Sequence, residues 1–516
     1  MPTLTLTSKG FTLLGVTEVP RGFSRRNGSV VTLSPSAAYP FITWADTGTK
    51  TALERAEATK LASRSTSPTK PLKLAPRGFS FFPYQEAGIE FMVAHKKCLL
   101  ADEPGTGKTP MSAGLINAVK PFAVLVLCPS SLQLNWKYEL DRWLTHTPEI
   151  LDIVSYDSAW RKGQAQALLA TKYDVVIMDE AHYCKNGESK RSKTAHYCKN
   201  GGSKRSKTAQ VLASRAERVV LLTGTPMDNR PRDLFVLLKM IAPRMFPDFN
   251  EFAIRYCRAF VQEIRTRQGV KRIWNTEGSS NEEELQDILR SFLMIRRLKQ
   301  DVLPQLPKKI RQLIIVPPEK TAAVKAEKKL WESVCQEVGY EEALKHMEAG
   351  AGVAFDKMAK ARQEVAVSKV PFVVKHISNI ASAQKVIVFA HHKAVVEALM
   401  QGLSEFNPVK VVGGMSAKEK DASVVTFQND DKCRVFVGNI TAAGVGLTLT
   451  ASSTVVFAEL PFRPSDAIQG EDRACRIGAS SDKVLVQHII LDGSLDVKLA
   501  RMLIHKQNVC DKVLDK

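Results

Sequence analysis

The chain has 516 residues, 44% of them hydrophobic and 24% charged; this excludes a chain dominated by disorder and leaves room for two or three domains with sizeable cores. A formal net charge of +20 and a pI near 9.5 suit a polyanion held without sequence preference, since each neutralised phosphate releases counterions, although a well-solvated basic surface would give the same balance. No run approaches the about 18 consecutive apolar residues of a membrane span, and the amino end carries no basic leader followed by an apolar core, so no membrane partner is expected and the reading is cytoplasmic, nucleoid-associated, or nuclear in a eukaryote.

The nine cysteines are scattered, odd in number and free of any CxxC pair, which points to neither a disulfide framework nor a zinc ribbon. Residues 1–77 read as a separate region. TLTLT at Thr3–Thr7 alternates like a strand, and Ser63–Gly78 is a basic, proline-bearing connector to which no chemistry attaches. From Phe79, the apolar runs AVLVLCP, YDVVIMDE and RVVLLTGTP alternate with helical stretches, the pattern of a parallel sheet covered on both faces. A charged, helix-rich stretch from about Arg230 to Val370 follows, and KVIVFA, RVFVGNI and TVVFAEL then repeat the α/β rhythm. The expected class is therefore α/β, with one lobe over 78–245, a helical insertion over 246–370 and a second lobe over 371–516.

Residues 181–194, AHYCKNGESKRSKT, are followed at once by AHYCKNGGSKRSKT at 195–208, and the copies differ only at Glu188 and Gly202. Two fourteen-residue copies cannot make a solenoid, and the NG and GG turns argue for a polar loop. Eight Lys and Arg against one acid could touch phosphate. A duplication tolerated as a surface bulge is the alternative, because long surface insertions cost little loop entropy. The pairing of Cys184 with Cys198 needs no metal, since duplication alone explains it.

The chemistry concentrates in three motifs. DEPGTGKT at Asp102–Thr109, between an apolar turn and a helix, is a phosphate-binding loop. Gly105, Thr106 and Gly107 bring backbone amides to the phosphates, Lys108 reaches the β and γ groups, and the Thr109 hydroxyl is placed to ligate Mg. The generic pattern wants glycine at position 102, where this chain has aspartate. Pro110 falls in the first helical turn, where its missing donor costs little. VVIMDEAH reads as a buried strand delivering Asp179 and Glu180 to its carboxyl end, where ligands gather in open α/β sheets. Asp179 would hold Mg through water, and Glu180 would orient or deprotonate the attacking water. His182 would link this pair to Thr223 and Thr225, or simply cap the strand. QGEDRACRIG places Arg473 and Arg476 three apart, cations able to stabilise transferred phosphoryl charge, although an isolated RxxR is ordinarily a surface pair.

From about Phe79 onward, these residues resemble the Snf-type branch of superfamily-two helicases and, within it, the annealing-helicase-like, fork-remodelling translocases in a compact bacterial or viral form. The resemblance runs in order through FPYQEAGIEFM, DEPGTGKT, CPSSLQLNW, VSYDS, DEAHYCKN, LTGTPMDNRP and MIRRLKQDVLPQLPKK. It continues through KVIVFAHH, VVGGMS, NITAAGVGLTLT, VVFAEL and QGEDRACRIG. It implies two RecA-like lobes closing on Mg-ATP, with Gln85 reading adenine and an aspartate at the loop's first position as the family itself carries. It implies stepping along duplex or forked DNA, with Ser130, Ser131, Thr225, Gly414 and Thr441 in motifs that touch the backbone or couple it to ATP; backbone contacts give register without base readout. Phe462-Arg463-Pro464, Cys475 and Ala479 depart from the family's Trp-Asn-Pro, histidine and glutamine.

Three functions compete at this point. The first is a duplex translocase that remodels or reanneals forks. The second is a strand-separating DNA or RNA helicase, against which no separating pin is readable. The third is an ATP-independent DNA-binding scaffold, against which Lys108, Asp179, Glu180, Arg473 and Arg476 all stand intact.

Overall fold

The computed structural model describes residues 3–7, 10–14, 30–181, 204–224, 226–227, 230–266, 269–276, 278–303, 306–317, 321–340, 343, 347, 353–440, 447, 449–461, 464–475 and 481–501. These fall into two compact units, the first running to Val302 and the second beginning at Leu303. The boundary lies inside the segment 246–370.

The first unit opens with an antiparallel three-stranded sheet of β1 (Thr3–Thr7), β2 (Gly10–Leu14) and β3 (Val30–Leu33) in that order. Alternation buries Leu4, Phe11, Leu13 and Leu33 against Leu53 of the helix Thr47–Ala62. That helix starts cleanly because the Asp46 carboxylate accepts the amide of Thr49 at 2.8 Å. The described residues of 1–77 are tied to the rest of the unit: Lys60 pairs with Asp287 at 2.6 Å, Ser36 donates its amide and hydroxyl to the same carboxylate, and Phe11 stacks on Phe292.

The main sheet of this unit has six parallel strands: β4 (Lys97–Leu100), β5 (Ala123–Cys128), β6 (Ile150–Ser155), β7 (Val175–Asp179), β8 (Arg218–Leu222) and the two-residue β11 (Met294–Ile295). The order across it is β11-β4-β8-β7-β5-β6. β5 and β7 are buried at every residue, as a parallel sheet with helices on both faces requires. Between β8 and β11, inside the stretch read from sequence as helix-rich, stands a two-stranded antiparallel hairpin, β9 (Phe260–Thr266) and β10 (Gly269–Asn275).

The second unit is another six-stranded parallel sheet, from β12 (Lys308–Val316), β13 (Val386–Ala390), β14 (Val409–Val411), β15 (Val435–Asn439), β16 (Thr454–Phe457) and β17 (Lys483–Leu491). Its order is β12-β17-β16-β13-β15-β14, with helices such as Lys393–Gly402 and Ala417–Asn429 as crossovers. The two-lobed parallel α/β class read from the sequence is the one observed.

Candidate nucleotide site

Because all strands of the first sheet run the same way, every motif that follows a strand emerges at one edge. The phosphate-type loop follows β4, Ser130 and Ser131 follow β5, Asp179 and Glu180 end β7, Thr223 follows β8, and Arg296 and Arg297 follow β11. This is the carboxyl edge, where open α/β sheets bind ligands.

The loop owes its shape to two left-handed glycines, Gly105 at φ +86° and Gly107 at φ +81°, a region that side chains other than glycine enter at a cost. Gly107 caps the helix Lys108–Val119, whose free amino-terminal N–H groups favour an anion. A Cβ on Gly107 would also meet Nε2 of Gln85 at 2.3 Å. Gln85 is buried and braces the loop, donating from Nε2 to the Thr106 carbonyl at 3.1 Å while its Oε1 accepts the Phe82 amide at 3.0 Å. Tyr84 donates its hydroxyl to the same carbonyl at 2.8 Å. Lys108 turns its ammonium onto the loop's own carbonyls, Asp102 at 2.8 Å and Glu103 at 3.1 Å. Burial holds its pKa below the ordinary lysine range against the pull of Glu180, Asp102 and Asp179. Thr109 follows it, partly exposed.

At the end of β7, the Asp179 carboxylate receives Nε1 of the fully buried Trp136 at 2.7 Å and the Glu180 amide at 2.9 Å. Burial, and then the neighbouring Glu180 charge, hold it above the ordinary carboxylate range. Tyr156 donates to the Asp179 carbonyl at 2.9 Å. Glu180 itself has φ +48°, an uncommon conformation for a residue with a Cβ and one that concentrates at functional sites. Among the described residues, no group of three or more His, Cys, Asp or Glu is placed to hold a metal. Asp179 with a hydroxyl such as that of Thr109 fits Mg instead, which is bound by one or two protein oxygens together with substrate phosphates.

Asp102 finds its reason in Arg297. The guanidinium and the carboxylate, 1% and 0% exposed, form a two-pronged ion pair through Nη2 and Oδ2 and through Nε and Oδ1 at 3.1 Å; the Arg297 amide adds a third bond at 2.8 Å. Arg297 also donates to the Tyr84 carbonyl, and Arg296 donates to the carbonyls of Ala101 at 2.7 Å and Gly224 at 3.2 Å. Gly224 lies so close to the loop that a Cβ would stand 2.5 Å from Pro104. Sequence reasoning missed Trp136, Arg296 and Arg297 as individuals. Its one clue was an aspartate in a glycine position, which inside a core demands a cation.

The second unit carries its own predicted residues. Arg473 is buried and donates from Nε to the Gln469 carbonyl and from Nη1 to the Leu447 carbonyl, both at 3.0 Å. Beside it Lys309 pairs with Asp472 at 2.7 Å and Glu471 at 3.1 Å, and Arg311 grips Glu471 at 2.6 Å and 2.8 Å. Burial works against the Lys309 charge, and Asp472 and Glu471 more than offset it, so its pKa stands above the ordinary value. MIRRLKQDVLPQLPKK therefore fastens its front end to the phosphate-type loop and its back end to the QGEDR turn. Gly414 occupies an exposed turn after β14 at φ +92°, just ahead of a helix capped reciprocally by Ser416 and Glu419. Arg476, Thr225, Thr441, His182, Phe462, Arg463 and Ala479 lie outside the described residues. So does most of the duplication, although Lys204–Thr208 of the second copy begin the helix Lys204–Arg215.

The SNF2-related domain profile matches residues 84–343, and the helicase conserved C-terminal domain profile matches 368–478. The chain is 33% identical over 461 residues to the SWI/SNF-related matrix-associated actin-dependent regulator of chromatin subfamily A-like protein 1 of Xenopus tropicalis, covering 84% of this chain and 45% of that protein. It is 32% identical over 460 residues to the human DNA annealing helicase and endonuclease ZRANB3, covering 84% and 40%. The chain thus spans less than half the length of these relatives. Among solved structures it is similar to the SWI2/SNF2 ATPase core of Sulfolobus solfataricus in complex with dsDNA, at 20% identity and a TM-score of 0.40 over 86% of this chain and 99% of that one.

Proposed function

The chain belongs to the SNF2-related domain family, and from that premise we propose that it is an ATP-dependent DNA motor that moves along duplex or forked DNA and remodels or reanneals it. The observation that carries this reading is the convergence, on one sheet edge, of the glycine-shaped loop with Lys108 and the Asp179-Glu180 pair. Gln85 reads adenine, Gly105, Thr106, Gly107 and Lys108 hold the phosphates, and Thr109 and Asp179 hold Mg, which supplies charge neutralisation at the phosphates when bound. Glu180 orients or deprotonates the attacking water. Arg473 anchors the turn that leads to Arg476, and the two supply the cations for the transferred phosphoryl charge.

Ser130, Ser131, Thr225, Gly414 and Thr441 touch the DNA backbone or couple it to the nucleotide, and the +20 charge supplies the affinity. The lobes are assigned as 78–245 and 371–516, and the segment 246–370, read from sequence as a separate helical insertion, adds β11 to the first sheet and β12 to the second. Among the described residues, no helix is long and apolar enough to cross a membrane. With DNA as its partner, the protein is placed on the nucleoid in a cytoplasm, or in the nucleus of a eukaryote.

The test is the steady-state ATPase rate of the wild type and Glu180→Gln with no nucleic acid, single-stranded DNA, duplex DNA, forked duplex and duplex RNA. Stimulation by duplex or forked DNA that vanishes in the variant supports the motor. Preference for single strands favours a strand-separating helicase, and binding without hydrolysis favours a scaffold.

A further inference from the structure

The hairpin β9–β10 belongs to neither six-stranded sheet, and an isolated two-stranded ribbon is marginally stable in water. Its root is nonetheless firmly held. Ser280 donates its hydroxyl to the Arg255 carbonyl at 2.8 Å, Asn281 donates to the same carbonyl at 2.7 Å, and the Arg258 amide donates to the Ser280 hydroxyl at 3.2 Å. Arg232 reaches Thr276 just after β10 at 3.2 Å. Gly278 packs so closely that a Cβ would stand 3.0 Å from the Cys257 carbonyl oxygen.

On this fixed root stand side chains that a soluble surface ordinarily avoids. Phe260 is 52% exposed, Val261 57% and Trp274 40%. The register pairs Phe260 with Asn275 and Val261 with Trp274, so the two aromatic residues project from opposite faces of the ribbon. Both faces are open to solvent at the rings. Charge singles out the occupant: Phe260–Asn275 holds four basic residues, Arg265, Arg267, Lys271 and Arg272, against the single acid Glu263, and Glu263 is already matched by Arg272 at 2.8 Å. Exposed rings on a ribbon whose sequence carries a surplus of positive charge fit nucleic acid, whose bases stack on aromatic faces while its phosphates meet the charge. In an intact duplex the base faces are hidden, so rings on two opposite faces fit a junction where two strands part.

We propose that β9–β10 is a wedge for the single-strand/duplex junction of a fork, with Phe260 stacking on an unpaired base of one arm and Trp274 on one of the other. This rests on the reading of the chain as a DNA motor and adds to it the element that distinguishes a fork from a plain duplex.

The test measures binding by fluorescence anisotropy to a blunt duplex and to the same duplex with two unpaired arms, for the wild type, Phe260→Ser/Trp274→Ser and Phe260→Tyr/Trp274→Phe. The serine variant should bind the fork more weakly by about thirtyfold or more and the blunt duplex within about twofold of wild type, and the aromatic variant should recover the fork. Equal loss on both probes, or no loss on either, overturns the wedge. A 2-aminopurine at the first unpaired position of each arm gives a reading on the wild type alone, independent of how the variants fold: quenching on binding is expected, and unchanged emission in both arms overturns the proposal. If neither probe binds the wild type or stimulates its ATPase, the motor reading fails and the wedge with it. Blunt-duplex stimulation with unquenched arms sinks the wedge alone.

Discussion

Asp102 and Arg297 are 195 positions apart in the chain and form a buried, two-pronged ion pair that joins the first residue of the phosphate-type loop to the segment following β11. Removing one partner leaves the other charge buried and uncompensated, which costs about 3–5 kcal/mol. Arg297→Ala should therefore lower the urea midpoint sharply. Arg297→Lys should also be destabilised, because a point-charge ammonium cannot reproduce the forked contact. Asp102→Leu/Arg297→Met, which removes both charges, should recover part of the loss, and equal stability of the single and double variants would disprove the pairing argument.

Gly224→Ala tests how tightly the loop is held from its other side. The new methyl would stand 2.5 Å and 2.6 Å from Pro104 ring carbons and 2.9 Å from its backbone nitrogen, so the backbone of the loop has to give way. An overpacking cost of about 1–3 kcal/mol is expected. Because the displaced residue precedes Gly105, the KM for ATP should rise with it; a variant with wild-type KM and melting temperature would show that this approach is not tight in solution.

The parts of this arrangement that the sequence discloses are those set by local pattern. AVLVLC and VVIMD are continuous apolar runs of strand length, and a strand buried on both faces has no polar residue to interrupt it. The glycines of the loop are legible because a left-handed backbone leaves few other residues eligible. What stays hidden is fixed by tertiary contact. The two-residue β11 is too short to show a period, and β9–β10 lies in a charged stretch whose composition suggests helix. Arg297 is one basic residue among 73 Lys and Arg until the fold sets it against Asp102.

Trp136 is the only donor outside the DE pair itself that is seen on the Asp179 carboxylate among the described side-chain bonds, at 2.7 Å. Groups that orient a metal ligand are typically worth about 10–100-fold in affinity or activity. Trp136→Phe, which keeps an aromatic ring but loses the N–H, should lower DNA-stimulated ATP turnover within that range. Tyr156→Phe loses a bond to the Asp179 carbonyl rather than to its carboxylate and should cost less than about threefold by the same comparison. Equal losses in the two variants would remove the special place given to Trp136.

Deleting residues 181–194 should leave a folded, active protein. The second copy restores Ala-His-Tyr-Cys directly after Glu180, with Ala195 standing in for the buried Ala181. Its Lys204–Thr208 still begin the helix Lys204–Arg215, where Ser206 is buried and accepts Gln210 at 3.2 Å. Shortening a loop changes closure entropy by well under about 1 kcal/mol. The expected result is a melting temperature within about two degrees of the full chain and an unchanged basal ATPase; a drop in DNA-stimulated rate alone would show that the added basic residues serve DNA.

In the second unit, Glu327 on the helix Thr321–Val338 is 2% exposed, and its Oε2 accepts the Leu495 amide at 2.9 Å. Burial first, and then the like charge of Asp496, push its pKa up to about 7, against the downward pull of the Leu495 amide, Arg362 and Lys369; Lys369 is itself committed to Asp496 at 2.7 Å. The folded protein therefore binds this proton more tightly than the unfolded chain, whose glutamate titrates near 4.5. Between those two values the native state holds more protons, so stability is fully present below about pH 4.5 and is lost as pH rises through about 7. The difference between the two values corresponds to about 3 kcal/mol. Glu327→Gln keeps an acceptor for Leu495 without the charge. It should match the wild type at about pH 4 and exceed it by up to about 3 kcal/mol at about pH 8 in urea denaturation of the whole chain. Parallel stability curves for the two proteins across that interval would mean that Glu327 is ionised in the native state throughout, and that Arg362 and Lys369 outweigh the burial of its carboxyl.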